Sequence, residues 1–75
     1  MKAVNVTLNM AENVKKFVNI VNRYSFDIDL RSGRFVVDAK SILGIFSLDL
    51  GKPLIMEIYA DDCDELLEEI KAFRI

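Results

Sequence analysis

Val37-Asp38-Ala39-Lys40-Ser41-Ile42-Leu43-Gly44-Ile45-Phe46-Ser47-Leu48 carries the end of a strand into the start of a short helix. Ser41 has the chemistry of an N-cap, because its hydroxyl can accept a hydrogen bond from an unpaired N–H of the first helical turn. The helix that follows holds Ile42, Leu43, Ile45, Phe46 and Leu48, which spread around most of its circumference. Helical spacing turns Ile45 inward; Ile42, Leu43 and Phe46 have core as one reading and a contact surface as the favoured one, because so short a chain has little material to cover them. The rest of the chain reads as scaffold for this corner.

Working upstream, Phe35, Val36 and Val37 form a strand that returns from a tight Ser32-Gly33 turn, where glycine supplies a positive φ. Its partner is the alternating run Ser25–Leu30, with Phe26, Ile28 and Leu30 on one side and Asp27 and Asp29 on the other. Before it, Val14, Phe17, Val18 and Val21 recur at helical spacing, widened by Ile20. Asn9 and Glu12 have a capping-box spacing that opens this helix, and it should end near Arg23 or Tyr24. Lys2 to Leu8 alternates as a half-buried strand.

Downstream, Gly51-Lys52-Pro53 punctuates the chain and leads into a strand over Leu54–Ala60. Asp62, with Glu65 three residues on, caps a last helix whose inward stripe is Cys63, Leu66, Leu67, Ile70 and Phe73. Acidic residues in its first turn and Lys71 and Arg74 at its end suit the helix dipole. The order is βαββαβα. One apolar face on the sheet and one on each long helix predict an α+β open-faced sandwich, with a four-stranded, largely antiparallel sheet and helices packed on one side.

The 75 residues allow a single domain, 1–75, and 52% of them are apolar, enough for a core without metal or disulfide staples. The lone Cys63 has no internal partner and points to a reducing, cytoplasmic setting. No apolar run approaches the ~20 residues of a membrane span, and no signal peptide opens the chain. A net charge of -2 without a basic stripe argues against nucleic acid. The chain contains no histidine, so an imidazole base, a histidine metal ligand and a phosphohistidine are all excluded for it acting alone.

Ala39-Lys40-Ser41-Ile42-Leu43-Gly44-Ile45-Phe46-Ser47-Leu48 resembles the regulatory-serine segment of HPr, the phosphocarrier of the bacterial sugar phosphotransferase system. The typical run there is (Asn or Asp)-Ala-Lys-Ser-Ile-Met-Gly-Val-Met-Ser-Leu. The likeness extends over nearly the whole chain and without a gap from Met10 to Leu50. It includes Arg23-Tyr24, Asp27, Leu30, Gly33, Val37 and Gly44. HPr proteins share the βαββαβα order, so the resemblance implies the same fold. Extended backward, the register reaches the HPr active-site signature His-Ala-Arg-Pro, where this chain reads Met10-Ala11-Glu12-Asn13. Met10 then stands for the phosphorylated histidine and Glu12 for the arginine beside it. A thioether offers no nucleophilic nitrogen, and a carboxylate repels a phosphoryl group.

What remains by resemblance is Ser41, which HPr kinase/phosphorylase modifies in HPr proteins of many Gram-positive bacteria. The docking surface implied there comprises Met10, Lys40, Ile42, Leu43 and Phe46. Residue chemistry alone gives Ser41 only a capping role. The catabolite-repression HPr-like proteins of bacilli similarly lack the histidine and keep the serine. The implied function is regulatory binding in carbon metabolism, with the kinase and a transcriptional regulator as partners. The alternative is a constitutive protein-interaction module, or a homo-oligomer, using Met10, Ile42, Leu43 and Phe46 without phosphorylation. No nucleophile–base pair or glycine-rich phosphate loop supports an enzyme, and no cofactor is implied. Asp61, Asp62, Asp64 and Glu65 read as dipole partners at a helix start rather than a metal site. Cys63 reads as packing.

Overall fold

Apolar side chains at every second strand position need a cover, and the fold supplies it with helices. The computed structural model describes residues 1–75, in the order β1 Lys2–Val6, α1 Ala11–Val21, β2 Ile28–Ser32, β3 Phe35–Asp38, α2 Ile42–Phe46, β4 Leu54–Ile58 and α3 Asp64–Glu69. A single 3₁₀ turn, Lys71–Phe73, follows α3. The sheet order is β1-β4-β2-β3, with every neighbouring pair antiparallel. This is the predicted α+β sandwich.

Register explains the core. Val4 lies opposite Met56, and Leu30 lies between Met56 and Val37, so these side chains share one face of the sheet. Val14, Phe17 and Val21 of α1, Ile45 of α2 and Leu66 of α3 bury against the same core. The rings of Phe17 and Phe73 meet edge to face at 5.9 Å and tie α1 to the C-terminal turn. The other sheet face stays open. A row of carboxylates, Glu57, Asp29 and Asp38, crosses it from β4 to β3.

Several boundaries differ from those read in the sequence. Met10, not Asn9, occupies the N-cap of α1, without a side-chain cap bond. Leu8 is fully buried beyond the end of β1, so Asn9 and Met10 are used in turning the corner. Glu12 is thereby displaced from the position a capping box requires. At its other end α1 stops at Val21, and Arg23 and Tyr24 donate to Ile20 and Val21 in a tightened final turn.

The β2 strand begins at Ile28 rather than Ser25, because Phe26 packs on Tyr24 with ring centroids 5.4 Å apart. It continues to Ser32, and the turn residues are Gly33 and Arg34, with Gly33 at φ 60. Cys63 rather than Asp62 holds the N-cap position of α3, and the Asp64 N–H reaches the Asp62 carboxylate at 3.4 Å. α3 ends early, and the chain tightens so that Ile70 and Phe73, three residues apart, both face the core.

Both sheet edges are strands, but they end differently. Along β1 the C-terminal residues form a short antiparallel bridge, Val6 opposite Arg74. The Thr7 N–H donates to the Phe73 carbonyl at 2.8 Å and the Ile75 N–H to the Asn5 carbonyl at 3.1 Å. β3 has no such cover.

Candidate protein-docking corner around Ser41

Backbone chemistry sets the corner before any functional side chain is considered. The Ala39 N–H donates to the Ile28 carbonyl at 2.9 Å, and the Ala39 methyl is fully buried, which ends β3 against the core. Asp38 then turns the chain: its carboxylate accepts the Lys40 N–H at 2.9 Å and its carbonyl the Ser41 N–H at 3.0 Å. Ser41 caps α2 as its sequence position implied, its Oγ accepting the Gly44 N–H at 3.1 Å. Gly44 itself is a packing requirement. A Cβ there would lie 3.3 Å from the Val37 Cβ and 3.3 Å from the Ser41 Oγ, so the missing side chain lets α2 lie close on β3.

The apolar residues of α2 divide sharply. Ile45 is fully buried, Ile42 half-buried, Phe46 44% exposed and Leu43 82% exposed. Lys40 points away from the serine: its Nζ donates to the Tyr24 carbonyl. In this unmodified chain the Lys40 ammonium is engaged by a carbonyl just past the end of α1. Met10 is 57% exposed at the start of α1. The opposite end, Asn22, donates to the Lys40 carbonyl at 3.2 Å. Met10 and that end are separated by ~18 Å along the helix axis at 1.5 Å per residue. Lys40, Ser41, Ile42, Leu43 and Phe46 come together by continuity of chain, and Met10 and Glu12 lie at the first turn of α1.

Asn22 is the residue that sequence reasoning missed. It had the appearance of a solvent-facing helix position, yet its amide bonds both the Val18 and Lys40 carbonyls and stitches α1 to the lead of α2. Asparagine beside the helix end was the only local signal. Nearby, the Tyr24 hydroxyl donates to Glu69, and Arg23 pairs with the same carboxylate. That hydrogen bond, with burial as the second cause, pushes the Tyr24 phenol up to about 12.

The sequence matches the family described as "PTS HPr component phosphorylation site" over residues 9–74. The chain belongs to the HPr family. It is similar to an HPr, "HPr-C-His", from Thermoanaerobacter tengcongensis, with 28% identity over 96% of this chain and 89% of that one and a TM-score of 0.80. Phosphocarrier protein HPr from Bacillus anthracis str. Ames shares 33% identity over 99% of this chain and 94% of its own, with a TM-score of 0.76. Crh, the catabolite repression protein of Bacillus subtilis, shares 31% identity over 92% and 80%, with a TM-score of 0.67. Its structure is described as a dimer with a swapping domain. No curated protein matches the sequence. HPr-family proteins are phosphocarriers rather than enzymes, and they act through other proteins. Within this HPr-family chain no helix is long and apolar enough to cross a membrane.

Proposed function

We propose that this HPr-family chain is a cytoplasmic, single-domain regulatory binding protein of carbon metabolism that does not carry phosphohistidine. The observation that carries this reading is the absence of histidine from a chain of a phosphocarrier family. Met10 takes the place of the phosphorylated residue, and Glu12 puts a negative charge where a phosphoryl group needs a positive one. The acceptor is then Ser41, whose phosphate would add charge at the edge of an apolar surface formed by Ile42, Leu43 and Phe46. HPr kinase/phosphorylase is the modifying partner, and a transcriptional regulator reads the product. Lys40 reaches that phosphate only by leaving the Tyr24 carbonyl, so modification would also loosen the link between α1 and α2.

Incubation with HPr kinase/phosphorylase, ATP and Mg²⁺ tests this directly. Intact-mass analysis should show one added phosphate on the wild type and none on Ser41→Ala. Enzyme I with phosphoenolpyruvate should leave no acid-labile label. Met10→His combined with Glu12→Arg should gain that label faster than Met10→His alone.

A second reading is constitutive docking through Ile42, Leu43 and Phe46, with Met10 extending the surface. The exposure of Leu43 and Phe46 without any modification favours it. An unmodified chain that binds the same partner as the phosphorylated one would decide for this second reading.

A further inference from the structure

The uncovered edge of the sheet has the charge pattern of a surface that pairs with itself. The hairpin turn contains two residues, so Ser32 and Phe35 close it as a hydrogen-bonded pair. Along the ladder the next such pair is Leu30 with Val37, and the Ala39 N–H bonded to the Ile28 carbonyl continues the same phase. Val36 therefore directs its N–H and C=O away from β2, out over the free edge. Beside it Phe35 is 71% exposed and Val36 43% exposed.

The charges are arranged symmetrically about Val36. Arg34 lies two residues before it and Asp38 two residues after, and neither makes an ion pair within the chain. Asp38 ends the carboxylate row of the open face, opposite Asp29, which in turn lies opposite Glu57. Like charges in cross-strand positions are unfavourable, and Arg31, paired with Glu57 at 3.2 Å, relieves only the far end of the row. Asp27, Asp29 and Asp38 also line a shallow pocket of about 290 Å³ with Tyr59. A cation supplied from outside the chain would complete the row at Asp38.

We propose that two copies of this chain associate edge to edge through β3, antiparallel, with the two-fold axis at Val36. In that register each Val36 exchanges both backbone hydrogen bonds with its counterpart. Phe35 meets Val37 of the second copy, and Arg34 of each copy lies opposite Asp38 of the other. Sliding the register by two residues in either direction sets Val36 against a charge and leaves Arg34 or Asp38 unmatched, so the charges select one alignment. The two sheets become one continuous eight-stranded sheet. This pairing does not depend on phosphorylation of Ser41.

Sedimentation equilibrium at low salt, over micromolar to millimolar protein, tests the proposal. The wild type should show a monomer–dimer equilibrium. Arg34→Asp and Asp38→Arg should each raise the dimer dissociation constant about tenfold or more, because both cross-copy pairs become repulsive. An equimolar mixture of the two variants should recover association, since each supplies the charge the other lacks. That recovery shows at once that both variants are folded. Val36→Pro, tolerated at an edge position whose N–H faces solvent, should give a monomer with an unchanged circular dichroism spectrum. A wild type that stays monomeric at millimolar concentration would overturn the proposal. So would single variants that dimerise as well as the wild type, or a mixture that stays monomeric.

Discussion

Helices α1 and α2 are both rich in apolar residues, yet they use them oppositely. α1 places Val14, Phe17 and Val21 wholly inside and keeps lysines and asparagines outside. α2 spends one residue, Ile45, on the core and holds Leu43 and Phe46 at the surface. The difference lies in what supports each helix. α1 has eleven residues and an amphipathic stripe, so burial alone can hold it. α2 has five, too few to be stable by itself, and depends on the Ser41 cap, the Gly44–Val37 approach and the Asn22 bridge. A helix anchored in this way is free to present apolar side chains to a partner.

The contrast predicts a ranking in chemical denaturation. Phe17→Ala should cost the most, ~3–5 kcal/mol, enough to unfold much of so small a domain. Ile45→Ala should follow at ~2–4 kcal/mol, since it is the one fully buried side chain of α2. Ser41→Ala should cost ~1 kcal/mol through loss of the cap, a change separate from its loss of phosphate acceptance. Phe46→Ala should stay within ~1 kcal/mol and Leu43→Ala within ~0.5 kcal/mol, while both weaken partner binding. Equal losses for Ile45→Ala and Phe46→Ala in urea melts would erase the distinction between the two helices.

The smallest effect concerns how the end of α1 is held. Tyr24 titrates at about 12 instead of its ordinary 10.0, first through its hydrogen bond to Glu69. Because the folded state keeps a proton that the unfolded chain releases, stability should be full below pH 10 and decline between about pH 10 and 12. Absorbance titration of the phenolate should find Tyr24 in that window. Glu69→Gln should bring its midpoint back toward the ordinary value, leaving α2 unaffected.

Most of this architecture was legible in the sequence because burial is periodic. Val4, Val6 and Leu8, then Ile28 and Leu30, then Leu54, Met56 and Ile58 alternate, and each of them is buried. The Ser41 cap was legible because the donor it meets lies three residues away. Features set by distant residues were not. Asn9 failed as a cap because Leu8 had to be buried first, and Lys40 turned from the serine to a carbonyl at the end of α1. The division within α2 was read correctly for Ile45, Leu43 and Phe46, whereas Ile42 is half covered by the core it adjoins. Nothing in the sequence marked the bridge between Val6 and Arg74.

That bridge sets the valence of the molecule. With Arg74 bridged to Val6, one end of β1 is occupied while β3 carries no cover, so the edge pairing proposed above runs through β3 and closes at two copies. The tail is held there by two backbone hydrogen bonds and by the buried Phe73 ring against Phe17, so opening it takes that ring out of the core. An open tail gives each molecule two pairing edges instead of one. Strand pairing of the kind proposed at β3 would then have a second edge to extend from, one that the segment bridged to Val6 otherwise occupies.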